Sequence, residues 1–139
     1  MNAENTDYGK LGVLVIDDDK PIRSLIKMTL MRTGVNDIEL ASNGQEALNQ
    51  VNSANRLAAP FDVIVCDWDM PVMNGITFIE KYREISQKST LIMLTARTDT
   101  SDFSQAKRLG VDYFFMKPLE GDMLRIRLKG AMDSALDKK

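Results

Sequence analysis

The stretch "VIVCDWDMPVMNG", residues 63–75, places a run of strand-forming apolar residues directly before two carboxylates and a turn. Residues 63–66 are apolar without interruption, which is typical of a strand that is buried on both faces. Asp67 and Asp69 follow where such a strand would end, and the proline, asparagine and glycine beyond them favour a turn and a new helix. The stretch therefore predicts a buried strand that carries acidic side chains to one edge of a sheet.

Apolar runs with the length of a strand occur five times along the chain. They lie at residues 11–16, 38–41, 61–66, 91–94 and 113–116, and the run at 38–41 is the weakest. A segment with apolar residues at helical spacing follows each run, and the one after the fourth run is the least amphipathic. This alternation predicts an α/β fold with a five-stranded parallel sheet, doubly wound and covered by helices on both faces.

Residues that start and stop helices stand at suitable places between these runs. Asn43 or Ser42, and later Asn74, are suited to cap helix N-termini with their side chains. Gly34 and Gly110 stand where helices should end, because glycine readily adopts the left-handed conformation of a helix C-terminus.

Length and composition are those of one ordinary domain. The chain has 139 residues, of which 44% are apolar, enough to build a core without cross-links. Residues 1–10 are interpreted as a flexible tail and residues 11–137 as the domain. The net charge of −2, with both signs interspersed, excludes the basic field that dominates non-specific nucleic-acid binding.

Cysteine and hydropathy patterns indicate where such a protein resides. Cys66 is the one cysteine, so no internal disulfide can form. No apolar stretch approaches the roughly 18 residues needed to span a bilayer, and the first residues lack an apolar signal segment. We therefore expect a cytoplasmic protein with no membrane insertion and no direct nucleic-acid partner.

Polar side chains follow four of the predicted strands. They are Asp17, Asp18 and Asp19 after the first, Asp67 and Asp69 after the third, Thr95 at the end of the fourth and Lys117 at the end of the fifth. The carboxyl ends of parallel strands share one edge, and its ligand crevice lies where the strand order reverses. If the order is 2-1-3-4-5, the first and third strands are neighbours there and the two acidic clusters meet.

The chemistry of this edge points to a metal and a phosphoryl group. Carboxylates gathered at neutral pH repel one another unless a cation joins them, and oxygen ligands with room for water suit Mg²⁺. A hydroxyl at Thr95 and an ammonium at Lys117 would complete a pocket for a phosphoryl group. Because aspartate can itself take a phosphoryl group, Asp67 is the candidate acceptor.

Each of these residues has a simpler interpretation when taken alone. Acidic residues after a strand often serve only the N-terminus of the next helix. Asp67 alone would be a turn residue, Thr95 a β-branched strand end and Lys117 a solvated charge. Their joint placement at one edge favours the functional interpretation. Cys66 and the nine methionines are interpreted as packing residues, and Trp68 as a residue at the rim of the pocket.

Four blocks of sequence occur in order at the ends of the predicted strands. They are "VLVIDDDKPIR" at 13–23, "VIVCDWDMPVMNG" at 63–75, "LIMLTAR" at 91–97 and "YFFMKP" at 113–118. Together they resemble the receiver domain of two-component response regulators, of the CheY type, over residues 11–137. The resemblance implies a single-domain, flavodoxin-like (βα)5 fold with strand order 2-1-3-4-5.

The resemblance also implies an Mg²⁺-dependent phosphoacceptor site. The aspartate before the "MP" motif is the phosphorylation site in that family, which implies Asp67 as acceptor and as a metal ligand. The acidic pair after the first strand falls on Asp17 and Asp18, with Asp18 implied as a direct ligand and Asp17 as a ligand through water. Asp69 would contribute its backbone carbonyl to the metal, and its side chain lies where receivers tune dephosphorylation.

Switch residues are implied in the same way. Thr95 matches the switch hydroxyl and Lys117 the lysine that contacts the phosphoryl group; the bond to the proline after that lysine is usually cis in the family. The switch aromatic, three residues before the lysine, is Phe114 in place of the common tyrosine, so the outward hydrogen bond of a tyrosine hydroxyl is lost. Arg97 is a further position whose side chain would hinder or help an attacking water.

The implied function is a phosphorylation-controlled signalling switch. A sensor histidine kinase or phosphotransfer protein would donate the phosphoryl group, so the protein is not an enzyme beyond Mg²⁺-dependent self-phosphorylation and autodephosphorylation. Output would pass by protein contact through the surface of the fourth helix, fifth strand and fifth helix. The target would be of the motor type, as in chemotaxis, or the next protein of a relay. The alternative is the excised receiver of a larger regulator.

Other classes share part of the pattern. The "DWD" motif at 67–69 resembles the DxD motif of haloacid-dehalogenase-type phosphatases, but that family has Thr or Val where Pro71 stands and carries the motif on its first strand. A flavodoxin-like FMN carrier would need a phosphate-binding loop in place of the acidic residues 17–19. An inactive scaffold receiver is disfavoured because all five site residues are present, namely Asp17, Asp18, Asp67, Thr95 and Lys117.

Overall fold

The computed structural model describes residues 7–86, 88–96 and 100–139, except for the side chains of residues 100–102. Its strands are β1 (Gly12–Ile16), β2 (Asp37–Ala41), β3 (Val63–Asp67), β4 (Thr90–Thr95) and β5 (Tyr113–Met116). Its helices are α1 (Lys20–Thr33), α2 (Gly44–Arg56), α3 (Gly75–Ile85), α4 (Thr100–Arg108) and α5 (Gly121–Asp137). The five predicted β-α units are all present. Arg97 lies outside the described residues.

All neighbouring strands are parallel, and the sheet order is β2-β1-β3-β4-β5. This confirms the predicted fold class and strand order. The order reverses between β1 and β3, where the register pairs Ile16 with Cys66. Asp17 and Asp67 come directly after these two residues, so the sheet itself brings them to the same edge at the reversal.

Both faces of the sheet are covered, which explains the continuous apolar runs. Successive residues of a strand point to opposite faces. Leu14 and Ile16 therefore pack in the core with α2 and α3, whereas Val13 and Val15 pack in the core with α1 and α5. The edge strand β2 alternates between exposed and half-buried positions over most of its length, which is why its apolar run is the weakest in the sequence.

The predicted helix ends are in place. Asn43 caps α2 and Asn74 caps α3, and each side-chain oxygen accepts a hydrogen bond from the backbone N–H three residues on, at 2.9 Å in both. The structure thus selects Asn43 over Ser42. Gly34 and Gly110 have φ values of 115° and 89°, which glycine adopts without strain.

Part of the segment predicted as a tail is packed. Tyr8–Lys10 form a short 3₁₀ helix before β1. Tyr8 is 6% exposed, and its hydroxyl donates to the Asp133 carboxylate on α5 at 2.5 Å. The packed core therefore includes Tyr8, three residues before the boundary predicted at residue 11. Residues 1–6 lie outside the described part of the chain.

The interpretation of sulfur side chains as packing residues is only partly correct. Cys66 is fully buried, as are Met93 and Met132. Four other methionines have exposed fractions of 43–56%, and they are Met28, Met31, Met116 and Met123. Residue type therefore does not predict the burial of these side chains; it depends on the face of the helix or strand on which each one lies. Among the described helices, none is both long and apolar enough to cross a membrane.

Candidate functional site

Three carboxylates meet at the carboxyl edge of the sheet. Asp67 is the last residue of β3, and Asp17 and Asp18 follow β1. One oxygen from each lies within 4.8 Å of the others. Asp17 and Asp67 are buried, with exposed fractions of 0% and 5%, while Asp18 is exposed. The structure therefore brings these three carboxylates together, as the strand order predicted, and two of them have lost most of their contact with water.

Asp17 is held at almost every polar atom. Its backbone N–H donates to the carbonyl of Ala41 at the end of β2, at 3.1 Å. Its Oδ1 accepts the backbone N–H of Asp19 at 2.9 Å, and its carbonyl accepts Nη1 of Arg23 on α1 at 2.6 Å. The remaining oxygen, Oδ2, is buried without a hydrogen-bond partner. A buried carboxylate oxygen in this condition is costly unless a cation joins it.

One ammonium group serves two of the carboxylates. Lys117 follows β5, and its Nζ lies 3.1 Å from Oδ1 of Asp67 and 3.5 Å from Oδ2 of Asp17. Its backbone N–H donates to the carbonyl of Thr95 at 2.8 Å, which ties the ends of β4 and β5 together. The bond from Lys117 to Pro118 is cis, as the resemblance implied.

Burial and repulsion shift the pKa values of these groups. Burial, with the charge of Asp67 beside it, raises the pKa of Asp17 from 3.8 to about 6, although the bond from Asp19 and the charge of Lys117 act against it. Burial also raises the pKa of Asp67, with Lys117 opposing. Burial lowers the pKa of Lys117, but the hydrogen bond from its ammonium to Asp67 and the charge of Asp17 outweigh that effect and raise it above 10.5. A charged ammonium is thus retained, yet it does not compensate both carboxylates.

The other predicted residues occupy different positions around this cluster. Thr95 ends β4 and is 1% exposed, one residue beyond Leu94, which pairs with Asp67. The Asp69 side chain is exposed, and its backbone N–H donates to the Asp67 carboxylate. A metal contact from the Asp69 carbonyl stays a prediction. Thr95 therefore ends the strand beside the acceptor, and Asp69 bonds to the acceptor from the loop that follows it.

An aromatic cluster lies directly behind the acceptor. The ring of Trp68 is 5.9 Å from that of Phe103 on α4 and 6.4 Å from that of Phe114 on β5, and the latter two rings are 5.0 Å apart. Trp68 is only 4% exposed, so its interpretation as a rim residue is wrong. The backbone N–H of Trp68 donates to the carbonyl of Leu94, which holds this residue toward the core.

The loop after Asp67 contains two features that explain its sequence. A Cβ at Gly75 would collide with the carbonyl oxygen of Asp67, so only glycine allows α3 to begin so close to the acceptor. Val72 has a φ of 70° in a turn where the N–H of Met73 bonds to the carbonyl of Pro71 at 2.7 Å. Positive φ is strained for a β-branched residue, and no feature of the sequence predicted it here.

The donor set fits Mg²⁺. Three carboxylates supply hard oxygen ligands, one of them exposed, so water can complete the coordination. Among the described residues, Oδ2 of Asp17 has no hydrogen-bond partner and only the longer ion pair with Lys117, so it is the atom whose burial cost a metal ion would lower. Asp17, Asp18 and Asp67 are therefore the residues that would hold the ion.

Comparison with known proteins identifies the family of the chain. The family model of the response regulator receiver domain matches residues 13–129. The chemotaxis protein CheY1 of Helicobacter pylori is 34% identical over 119 residues, which cover 84% of this chain and 93% of that protein.

Solved structures give the same result. The Vibrio cholerae chemotaxis protein CheY4 is 32% identical with a TM-score of 0.77, over 87% of this chain and 98% of that one. A Francisella response regulator receiver domain is 33% identical with a TM-score of 0.76, over 89% and 98%. A CheY-like receiver domain protein of Methanospirillum hungatei, 23% identical with a TM-score of 0.81 over 93% and 98%, shares the fold. The chain belongs to the response regulator receiver family and is a receiver domain of the CheY type.

Proposed function

We propose that Asp67 is the phosphoacceptor of this receiver and that Asp17, Asp18 and Asp67 hold the Mg²⁺ on which phosphorylation depends. One observation carries the proposal. The buried Asp67 carboxylate is bonded to Lys117 and lies within 4.8 Å of the two carboxylates that follow β1. A structural aspartate at a strand end would not need this concentration of buried charge.

The chemistry proposed is transfer from a phosphohistidine of a sensor kinase or phosphotransfer protein. An Asp67 oxygen forms the new bond to phosphorus as the phosphorus–nitrogen bond of the donor breaks, and the imidazole leaves with the electron pair. Bound Mg²⁺ would offset negative charge on the phosphoryl oxygens. Lys117 would be released from Asp67 as that carboxylate becomes an acyl phosphate, and its ammonium would then pair with the phosphoryl oxygens. The Thr95 hydroxyl would donate a hydrogen bond to another phosphoryl oxygen.

The experiment uses a small donor, because the site supplies nucleophile, metal ligands and cation from one chain. With Mg²⁺ and acetyl phosphate, intact-mass spectrometry should show one added phosphoryl group, which Asp67→Asn removes. Asp37→Asn is the matched control, since it alters an exposed carboxylate at the start of β2, on the opposite edge of the sheet, and should still be modified. Modification that survives Asp67→Asn places the acceptor elsewhere and contradicts the proposal.

We further propose that output passes through the surface of α4, β5 and α5. The aromatic cluster supports this, because Trp68 adjoins the acceptor while Phe103 and Phe114 lie on α4 and β5. Movement of Thr95 toward a phosphoryl group would pull the loop after β4 inward and disturb these contacts. When beryllofluoride and Mg²⁺ are added, hydrogen exchange should change more over residues 96–116 than over residues 22–58. The Asp67→Asn variant should show no such change. Changes confined to the loops around Asp67 would refute this surface.

The partners in this proposal follow from the family and the composition. The donor is a sensor histidine kinase or phosphotransfer protein, and the target is a protein of the motor type or a relay component. Two of the relatives are named chemotaxis proteins, which supports the first kind of target. The interspersed charge of the chain supports the absence of a direct nucleic-acid partner, and a cytoplasmic location belongs to the same proposal.

A further inference from the structure

Arg23 on α1 contacts the acidic site from outside the set of residues that the sequence identified. The side chain is half-buried and turns back toward the start of its own helix. Its Nη1 donates to the carbonyl oxygen of Asp17, six residues earlier, at 2.6 Å. A charged donor at this distance makes one of the stronger kinds of protein hydrogen bond.

The bond completes the immobilisation of Asp17. The backbone N–H of Asp17 is bonded to Ala41 of β2, its Oδ1 to the N–H of Asp19, and its carbonyl to Arg23. Three parts of the chain thus fix one residue, namely β2, the turn after β1, and α1. The atom left without a hydrogen-bond partner is Oδ2, which lies 3.5 Å from Nζ of Lys117. Removal of the Arg23 bond would free the turn that aims this oxygen.

Two effects of Arg23 on Mg²⁺ binding have opposite signs. Its positive charge repels a cation, so the field alone predicts that loss of Arg23 tightens binding. Its hydrogen bond holds the turn in which Asp17 and Asp18 lie, so positioning predicts that loss of Arg23 weakens binding. Partners that orient ligands in this way typically change metal affinity by about 10–100-fold when removed. The sign of the change therefore separates the two.

We propose that Arg23 is a positioning residue for the Mg²⁺ site, holding the turn after β1 through the carbonyl of Asp17 so that its carboxylates face the ion. The inference rests on the metal site of the proposed function. It concerns how that site is kept in shape, and it assigns Arg23 no contact with the ion or the phosphoryl group.

The test is an Mg²⁺ titration of the whole chain without any phosphodonor. Trp68, the one tryptophan, adjoins Asp67, so its fluorescence reports on the site. Arg23→Ala should raise the Kd for Mg²⁺ about tenfold. Arg23→Lys, which keeps the charge and a donor, should recover part of the loss. Arg32→Ala removes an exposed charge from the same helix and should leave the Kd unchanged or lower it.

Each outcome decides the matter. If Arg23→Ala binds Mg²⁺ as tightly as the wild type or more tightly, the proposal is overturned and Arg23 acts only through its charge. If Arg23→Ala does not fold, Arg23→Gln replaces it, because a glutamine side chain is too short to reach the Asp17 carbonyl. Weaker Mg²⁺ binding by this variant supports the positioning role, and tighter binding overturns the proposal. If the wild type itself shows no Mg²⁺ response while Arg32→Ala also shows none, the metal site of the proposed function fails instead.

Discussion

Aspartates lie both at the amino edge of the sheet, where its strands begin, and at the carboxyl edge, where its strands end. Their effects on stability at the two edges are opposite. At the amino edge, Asp62 accepts the backbone N–H of Gly12 at 2.8 Å, and Asp112 accepts that of Leu91 at 2.8 Å. Each is also within 4.0 Å of a lysine ammonium near the end of the chain. These carboxylates bond strand ends that would otherwise lack partners, so they stabilise the fold.

At the carboxyl edge, buried aspartate side chains destabilise the folded state. Asp17 and Asp67 share Lys117, and Oδ2 of Asp17 has no hydrogen-bond partner. Burial raises the pKa of both carboxyls. Because one ammonium, that of Lys117, serves both carboxylates, they cost stability when no metal ion is bound. The position of an aspartate on the sheet, not its residue type, therefore decides its effect on stability.

The largest expected effect comes from breaking the amino edge. Asp62→Ala should lower the free energy of unfolding by about 1–3 kcal/mol, because the N–H of Gly12 in the central strand β1 loses its acceptor. Urea denaturation measures the change. Asp62→Asn is the control, since its amide oxygen can still accept and the loss should be less than half as large. Equal losses in both variants would assign the effect to the charge pair with Lys139 instead.

The opposite sign is expected at the carboxyl edge. In the absence of Mg²⁺ at pH 7, Asp17→Asn should raise the free energy of unfolding by roughly 1–2 kcal/mol, because it removes a buried charge that is poorly compensated. Urea denaturation of this variant beside Asp62→Ala gives the contrast directly. A loss of stability in both would show that the two edges do not differ.

The same substitution predicts a pH dependence. Folding raises the pKa of Asp17 from 3.8 to about 6, so between these values the folded protein binds a proton that the unfolded chain has released. This group therefore makes the Mg²⁺-free wild type lose stability as the pH rises through that window. The difference in stability between Asp17→Asn and the wild type should grow from pH 4 to pH 6 and then level off. A difference that is constant with pH would contradict the raised pKa.

The carboxyl-edge half of this contrast was predictable from the sequence, because it rests on local pattern and on topology, whereas the roles of Asp62 and Asp112 were not predicted. Continuous apolar runs ending in Asp17 and Asp67 gave the strands and their polar ends, and parallel order then required these ends to meet. Lys117 followed from the same rule. The orphaned oxygen and the raised pKa were not readable, since they depend on how deeply each carboxyl lies and on bonds from Arg23 and Asp19 to one residue.

Non-local packing accounts for the rest. Tyr8 stands in a polar segment, and its burial depends on a bond to Asp133, 125 residues away. Trp68 was predicted at the rim of the pocket because it lies next to Asp67, whereas its ring contacts Phe103 and Phe114. Arg23 is one of several basic residues on α1, and nothing in its spacing distinguishes it.

A residue with a strained backbone, Val72, lies in the loop at the carboxyl edge. Val72 is 80% exposed with a φ of 70°, so its side chain gains little from packing while its backbone is strained. Val72→Asn should raise the free energy of unfolding by about 1 kcal/mol, because asparagine tolerates positive φ far better than a β-branched residue. Thermal unfolding measures it. Val72→Thr, which is also β-branched, should bring no gain, and a gain there would show that strain is not the cause.

A smaller effect of the same kind is expected at the amino edge. Ala58, in the connection from α2 to β3, has a φ of 58°. Ala58→Gly should raise the free energy of unfolding by about 0.5–1 kcal/mol and leave modification of Asp67 by acetyl phosphate unchanged. Ala59→Gly, at a neighbour without positive φ, should instead lower stability. If the two glycine substitutions act alike, the backbone conformation of Ala58 is not what matters.

We propose that the crowded carboxylates of the carboxyl edge form an Mg²⁺ site. The melting temperature of the wild type at pH 7, measured with and without Mg²⁺, tests this proposal. An ion that binds only the folded protein stabilises it by about 2.7 kcal/mol at a concentration of 100 times its Kd. For a chain of this length, that is a rise of about 5–10 °C. A melting temperature that saturating Mg²⁺ leaves unchanged would contradict the account.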